Sequence, residues 1–272
     1  RVFITDDDKE LLPPWLRFVK GIIDSSDLPL NVSREILQQN RIMAKIRSNS
    51  VKKILDKLKT VAGDKDKYAE FYDQYGRLIK EGVYQDFEHK DALTELLRFK
   101  STKDEGLVSL REYVGRMREN QKSIYYITGQ NQTSLRNSPL LEMYEKKDIE
   151  VLLLDDEIDE IIITGVPKYD EKDLKSVNRS GAADDFSDET DKEAEKSLKP
   201  VLKKIKKILG EKVKDVKLSN RLSDSPSCIV ADEHDPTAQM QELMRSMGQA
   251  DMGQIKPILE INPDHAIVKK LK

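Results

Sequence analysis

The chain has 272 residues, of which 38% are hydrophobic and 36% charged, and its 47 basic and 50 acidic side chains leave a net charge of −3. This length predicts about two domains, and the lack of a basic excess argues against a nucleic-acid binder. The single cysteine, Cys228, excludes an internal disulfide and indicates a reducing compartment. No apolar run reaches the ~18 residues of a membrane span. We therefore expect a cytoplasmic protein that contacts neither nucleic acid nor membrane.

The first part of the sequence is predicted to be mainly helical after a short strand at 1–5. Pro13 and Pro14 can open a short helix, since proline is tolerated in a first helical turn. Ser33 is expected to cap a long amphipathic helix that Gly63 ends. Helices at 65–79, 90–97 and 109–118 follow. The first of these carries aromatics at helical spacing, which we interpret as core packing rather than base stacking: Tyr68, Phe71, Tyr72 and Tyr75.

The second part alternates strands and helices. Strands at 123–128 and 150–154 enclose a helix at 133–147, and a short helix at 158–163 follows, which predicts a small α/β unit with a parallel sheet. The acidic, small-residue stretch at 178–191 predicts a mobile linker and a domain boundary. Beyond it, we expect a separate small α+β module with helices at 190–209 and 237–248 and strands at 213–219, 227–231 and 257–261. The predicted fold class is therefore α/β and α+β.

The strongest candidate for chemistry is the loop and helix start at 28–38. A proline-containing loop delivers Asn31 and Arg34 to a helix N-terminus, where backbone donors and the helix dipole favour an anion. A guanidinium group suits phosphate, and Gln38 lies one turn after Arg34 on the same face. On residue types alone, an ordinary capped helix with Arg34 paired to Glu35 or to an aspartate remains the alternative.

A second candidate is an apolar stripe on the helix at 237–248. Its members recur at i, i+3, i+4 and i+7 and are Met240, Leu243, Met244 and Met247. Flexible methionines suit contacts with varied hydrophobic partners. The alternative is that the stripe packs on its own sheet.

Two further groups of residues could in principle bind a metal ion. The carboxylates at 155–160 could hold Mg²⁺, but they are expected to occupy a helix start, where negative charge is favourable. The three histidines have no ligand spacing, so no metal site is predicted.

The run from 11 to 35, LLPPWLRFVKGIIDSSDLPLNVSRE, resembles the middle-domain signature of the heat-shock protein 90 family of molecular chaperones, in its bacterial (high-temperature protein G) form. The resemblance continues over nearly the whole chain apart from the stretch at 178–191. Further matching segments are 97–99, 109–117, 124–129, 138–139, 150–152, 158–160, 209–210, 221–222, 225–226 and 260–263.

The resemblance implies a domain order. Residues 1–178 would be the late part of the middle domain, 179–191 a linker, and 192–272 a truncated C-terminal domain. The chain opens with Arg1 rather than Met and ends in a helix-like run at 267–272. We therefore expect a fragment without the N-terminal nucleotide pocket and without the helices that join the family's dimer.

The resemblance also implies what the whole protein does: it uses ATP and Mg²⁺ to assist the folding of unfolded or partly folded client proteins under stress. Arg34 would be the catalytic-loop arginine that reaches the γ-phosphate of ATP held by the N-terminal domain of the same chain, with Asn31 and Gln38 supporting it. The stripe at 240–247 would contact clients. The whole protein would be a homodimer, and this chain alone an inactive monomer or weak dimer without a bound cofactor.

Two rival functions remain open on the sequence. One is a non-enzymatic scaffold that only binds partners through the methionine stripe and its helical faces. The other is a carboxylate metal enzyme that uses the acidic cluster at 155–160.

Overall fold

The structure, a computed structural model, describes residues 11–24, 41–186, 191–248 and 255–271, with the side chains of 191–197 excepted. The chain divides into two compact units, Arg1–Arg98 and Phe99–Lys272. The predicted opening strand and the predicted N-cap Ser33 lie outside the described residues. Within the described part, no helix is both long enough and apolar enough to cross a membrane.

The first unit is helical, as its periodicity predicts. A 3-10 turn at Pro14–Leu16 precedes α1 (Arg41–Ala62), α2 (Lys65–Gln85) and α3 (Lys90–Thr94). Helix α2 begins where the Asp64 carboxylate accepts a hydrogen bond from the Lys67 backbone N–H, an N-cap that satisfies one of the unpaired donors of the first turn. The predicted aromatic stripe packs in the core, since Tyr68 and Tyr72 are buried.

The Trp15 side chain packs near the end of α2, which is longer than predicted. The Trp15 side chain is fully buried, and its indole N–H donates to Asp86 just beyond the end of α2, at 3.0 Å. Gly82 permits this packing, because a Cβ there would lie 3.0 Å from the Trp15 ring. The helix continues past residue 79 to Gln85. The buried apolar residues around this contact include Leu16, Val51, Leu55, Leu58, Ile79, Val83, Leu93, Leu96 and Leu97.

The second unit contains a five-stranded mixed sheet. Its strands are β1 (Lys100–Ser101), β2 (Ser123–Thr128), β3 (Val151–Leu154), β4 (Lys168–Tyr169) and β5 (Lys172–Ser176), in the order β1-β3-β2-β5-β4. Strand β2 pairs in parallel with β3 and β5, while β1 and β4 pair antiparallel at the two sides. The parallel α/β unit is thus confirmed, and β2 and β3 read as near-continuous apolar runs because both faces are covered.

Helices connect these strands. They are α4 (Leu110–Gly115), α5 (Gln132–Arg136), α6 (Glu142–Lys146) and α7 (Asp159–Gly165). The predicted single helix at 133–147 is wrong. Ser138 caps a 3-10 turn at Pro139–Leu141 and separates α5 from α6, because Pro139 cannot donate the hydrogen bond that a continuous helix requires.

A smaller sheet follows. Helix α8 (Asp191–Leu209) leads to β6 (Asp215–Leu218), β7 (Ser227–Val230), α9 (Ala238–Ser246), β8 (Ile258–Ile261) and α10 (Ala266–Lys269). The central strand β8 pairs in parallel with β6 and antiparallel with β7. On one face, α8 and α10 supply Leu202, Ile205, Leu209 and Val268 to a core with Val213, Val216 and Ile261.

The α+β module is confirmed as a class but does not pack separately. Val230 on β7 and Ile258 on β8 belong to the same buried cluster as Tyr125 and Leu153 of the five-stranded sheet. The predicted boundary at 179–191 therefore lies inside the second compact unit, and the division into a middle and a C-terminal domain stays a prediction. A shared apolar core joins the two sheets, which residue composition could not reveal.

The described part of the predicted linker is packed structure. Residues Ser180–Phe186 form a 3-10 helix with Ala182 and Ala183 buried. Asp185 accepts hydrogen bonds from Tyr125 (2.7 Å) and Lys175 (2.7 Å). Two of the small residues that suggested a linker, Ala182 and Ala183, are therefore buried residues of a folded segment. Residues 187–190 lie outside the described part.

Candidate functional site

The predicted catalytic residues Asn31, Arg34 and Gln38 lie outside the described residues, so their predicted roles stay predictions. The other predicted site, the apolar stripe of α9, is described in full. We therefore build the candidate site around α9 and the residues that hold it.

Helix α9 begins at a cap formed by Thr237. The Thr237 hydroxyl oxygen accepts a hydrogen bond from the Met240 backbone N–H at 3.1 Å. A threonine cap of this kind satisfies one of the helix donors that has no intrahelical partner.

The stripe of α9 is only partly covered. Met240, Leu243 and Met244 are half-buried, and Met247 is 65% exposed just after the helix. No residue of α9 itself is fully buried. An amphipathic helix normally buries its apolar face against a core, so a stripe that stays accessible along its whole length is available for contact with another molecule.

The start of α9 is held by a buried carboxylate. The Thr237 hydroxyl donates to Glu160 Oε1 at 2.8 Å, and the Thr128 hydroxyl at the end of β2 donates to the same oxygen. All three side chains are buried. We call this group the Thr237 anchor. It joins α9 to the first turn of α7 and to the carboxyl end of β2.

The loop before α9 is held by Arg179. One terminal nitrogen of its guanidinium group donates to the backbone carbonyls of Asp232, Glu233 and Asp235, at 3.3, 2.6 and 2.5 Å. Arg179 also forms a parallel bridge with Ala231 at the end of β7. The loop of six residues between β7 and Thr237 is thus held from the side of the five-stranded sheet.

The exposed face of α9 also contacts the segment that follows β2. The Gln130 side-chain amide donates to Glu242 at 3.0 Å, in an exposed position. Because water competes for such a contact, it contributes little to holding the helix.

The acidic cluster at 155–160 does not converge. Asp155 forms an ion pair with Lys100 at 2.8 Å, and Glu160 belongs to the Thr237 anchor. Asp159 and Glu160 lie in the first turn of α7, the predicted helix start. In the described ranges, no group of three or more His, Cys, Asp or Glu side chains could hold a metal ion.

Cys228 lies half-buried on β7. Burial and the nearby Glu260 carboxylate raise the pKa of its thiol to about 12. The thiol is therefore protonated at neutral pH and a poor nucleophile.

The anchoring residues were not identified from the sequence. Thr237 carried a readable signal, because a threonine directly before an amphipathic run is a common N-cap. Glu160 was interpreted only as a favourable charge at a helix start. Its partners Thr128 and Thr237 are 32 and 77 residues away in the chain, and no local pattern links residues at such separations.

The whole chain, residues 1–272, matches the family model described as Hsp90 protein. It is 55% identical over 281 residues to a protein of Treponema denticola and 54% identical over 275 residues to one of Wolinella succinogenes. A protein of Aliarcobacter butzleri is 56% identical over 276 residues. Each of the three carries the name Chaperone protein HtpG.

These matches cover all of this chain but only part of each relative. The chain spans 44% of the length of the Treponema denticola and Wolinella succinogenes proteins and 43% of that from Aliarcobacter butzleri. The match to the family model over all 272 residues agrees with the sequence resemblance described above. The chain belongs to the Hsp90 protein family.

Proposed function

We propose that this chain is part of an ATP-dependent molecular chaperone and that its own contribution includes a client-contact surface on α9. The observation that carries the proposal is the accessible apolar stripe of Met240, Leu243, Met244 and Met247. The names of the relatives, all chaperone proteins, support it. Unfolded or partly folded proteins are the proposed partners.

The chemistry of the stripe suits such partners. Unfolded chains expose apolar side chains in no fixed arrangement, so a surface that binds many of them must adapt its shape. Methionine has three rotatable bonds and a polarisable sulfur, which lets it fit varied neighbours. A short stripe that is only half-covered gains free energy from each apolar group that it shields from water.

The stripe is tested by the double change Met240→Ser, Met244→Ser. A reduced, carboxymethylated lactalbumin serves as the permanently unfolded probe, and binding is measured by fluorescence anisotropy. Loss of two partly covered methionines should cost about 1–3 kcal/mol of binding, which is roughly 5- to 150-fold in affinity. Stability should change little, because side chains that are already partly exposed lose little transfer free energy.

The matched control is Met117→Ser, since Met117 is also half-buried but lies outside α9. Its affinity for the probe should equal that of the unchanged chain. If the double variant bound the probe as tightly as the Met117 variant does, the stripe would not be the client surface.

The proposal gives Arg34 a role in the whole protein. Placed at the γ-phosphate of ATP held by the N-terminal domain of the same chain, with Asn31 and Gln38 beside it, its guanidinium would stabilise charge on the transferring phosphoryl group, with Mg²⁺ bound to the nucleotide. An interaction of this kind is stronger in the transition state than in the ground state. The residue types agree with this role, since arginine binds phosphate with a planar pair of donors.

The test requires the full-length protein. Arg34→Ala should lower ATP turnover while ATP affinity stays nearly unchanged, with Arg17→Ala, an exposed arginine paired with Glu81, as the control. Unchanged turnover in the Arg34 variant would contradict the role of Arg34. An unchanged full-length protein that does not hydrolyse ATP would favour the rival function, a scaffold that binds partners without using ATP.

The proposal also concerns assembly. The whole protein is proposed to be a homodimer, whereas the 272-residue chain should be a monomer or a weak dimer. Light scattering of the chain at micromolar concentration checks this, and a tight dimer would contradict it.

A further inference from the structure

We infer that Glu160 positions α9, and therefore the client-contact stripe, by holding the hydroxyl group that caps the helix. Glu160 is a positioning residue, since it acts through Thr237. The inference rests on the proposed function for its biological meaning, but the structural part can be tested without any client.

Helix α9 and the residue that caps it differ in burial. No residue of α9 is fully buried, whereas Thr237, the residue directly before it, is 2% exposed. A surface helix is usually held by the apolar face that it buries. Here the face is only partly covered, so the contacts of Thr237, the residue before the helix, contribute to its position.

The hydroxyl group of Thr237 acts as a donor and as an acceptor at the same time. A threonine hydroxyl has one hydrogen to donate and lone pairs to accept. Thr237 donates its hydrogen to Glu160 and accepts from the Met240 N–H. The same oxygen atom therefore closes the helix end and fixes it to the protein interior. These two hydrogen bonds together determine the orientation of the Thr237 hydroxyl group.

Glu160 is a buried acceptor for two hydroxyl groups. Glu160 Oε1 accepts hydrogen bonds from Thr128 and Thr237 while the side chain is 5% exposed. A buried carboxylate that loses a donor bears the full cost of desolvation. This cost opposes movement of Thr237 away from Glu160 and gives the anchor its stiffness.

The residues that hold the start of α9 lie near one end of the five-stranded sheet. Thr128 ends β2, Glu160 lies in the first turn of α7, and Arg179 follows β5 closely. The backbone N–H and carbonyl of Thr128 are both held by the side chain of Asn178, at 2.9 and 3.0 Å. The loop before α9 pairs through Asp232 and Asp235 with Lys214, directly before β6, whereas the Thr237 cap itself is tied to one end of the five-stranded sheet. A shift of that end of the sheet would turn the stripe.

The experiment must separate the anchor from the cap alone. Thr237→Asp keeps a good N-cap, because Asp is as effective as Thr there, but it has no hydrogen to donate to Glu160. Adding Glu160→Gln restores a donor, since the glutamine amide can donate to the aspartate. Thr237→Val removes both functions and Thr237→Ser keeps both.

Amide hydrogen exchange of the 272-residue chain gives the readout. In Thr237→Asp and Thr237→Val, exchange at 241–246 should rise by about tenfold, as expected for one lost buried hydrogen bond, while exchange in β3 stays unchanged. Thr237→Ser and the double variant Thr237→Asp, Glu160→Gln should return α9 to within a factor of about two of the original rate.

Two results would overturn the inference. One is slow exchange at 241–246 in Thr237→Asp, which would mean that the cap alone holds the helix. The other is rapid exchange throughout the second unit, which would mean that Glu160 and Thr237 support the fold generally and do not position α9. Should any substitution at Thr237 prevent folding, Glu160→Leu, which removes the acceptor of the Thr237 hydroxyl, is read in the same way.

Binding of the unfolded lactalbumin probe then separates this inference from the proposed function. Thr237→Asp should weaken binding and the double variant should recover it. If exchange behaves as expected but neither Thr237→Asp nor the methionine double variant alters binding, the anchor stands and the client surface lies elsewhere.

Discussion

The Arg221 guanidinium and the Glu260 carboxylate form a buried ion pair, with Nε 2.9 Å from Oε2 and Nη2 3.2 Å from Oε1. Arg221 is fully buried, and its remaining donors reach the backbone carbonyls of Val177, Arg179 and Ser180. Glu260 also accepts from Ser219. One side chain thus joins strand β8 to the segment that the sequence suggested was a linker.

Breaking this pair from one side should be strongly destabilising. Arg221→Met leaves Glu260 charged and buried without its partner, and we expect a loss of about 3–5 kcal/mol in the free energy of unfolding. Urea denaturation followed by circular dichroism measures it. The exposed pair of Lys168 and Asp173 provides the control, since Lys168→Met should cost less than about 1 kcal/mol. Equal losses in the two variants would contradict the burial argument.

The turn between β4 and β5 should be improved by glycine. Asp170 and Glu171 both have positive φ, 47° and 60°, as a two-residue hairpin of type I′ requires. Glutamate is poorly suited to this conformation, so Glu171→Gly should stabilise the fold by about 1 kcal/mol. Thermal unfolding checks this. The same change at the exposed turn residue Glu119 should instead destabilise slightly, because it only adds freedom to the unfolded chain.

Asp185 should contribute a pH-dependent part of the stability. Burial alone would raise the pKa of its carboxyl, but hydrogen bonds from Lys175 and Tyr125 outweigh it, and the pKa lies below its ordinary value of 3.8. A lowered folded-state pKa gives stability that is present above the unfolded-state value and is lost as the pH falls through the folded-state value. The stability difference between the original chain and Asp185→Asn should therefore narrow on acidification from pH 6 towards pH 3, as measured by urea denaturation. A stability difference that stays the same between pH 6 and pH 3 would contradict this prediction.

The backbone amides of Ser180, in the stretch predicted to be a linker, and of Ala231 should be protected from hydrogen exchange. Ser180 N–H donates to the Ala231 carbonyl at 3.0 Å, and Ala231 N–H donates to the Asn178 carbonyl at 2.8 Å. These amides should exchange at least about tenfold more slowly than those of the exposed turn at 119–120. Rapid exchange at both Ser180 and Ala231 would restore the interpretation of this stretch as a mobile linker.

Much of the fold could be predicted because local sequence patterns determine it. Strands β2 and β3 are apolar runs whose faces are both covered, and α2 begins at an aspartate cap. Strand β5 was missed because Leu174 is its only apolar residue. It is a strand because its backbone pairs with β2, and such pairing leaves no mark on a segment whose side chains are mostly polar or charged.

The candidate site shows the same limit. The stripe at 240–247 was visible because helical spacing is a local property. The Thr237 anchor and the contacts of Asp185 were not, since each joins residues that are tens of positions apart. Composition also misled at Ala182 and Ala183, where small residues indicate close packing rather than a flexible chain.

The five-stranded sheet ends on both sides in a strand of two residues, β1 and β4. Exposed strand edges can recruit other extended chains, and natural proteins limit this by making edge strands short or by placing lysine on them. Strand β4 has both features, since it consists of Lys168 and Tyr169 and turns back immediately. For a protein proposed to meet unfolded polypeptides, a sheet that offers no long template for β-pairing favours release of a bound chain over its incorporation into an aggregate.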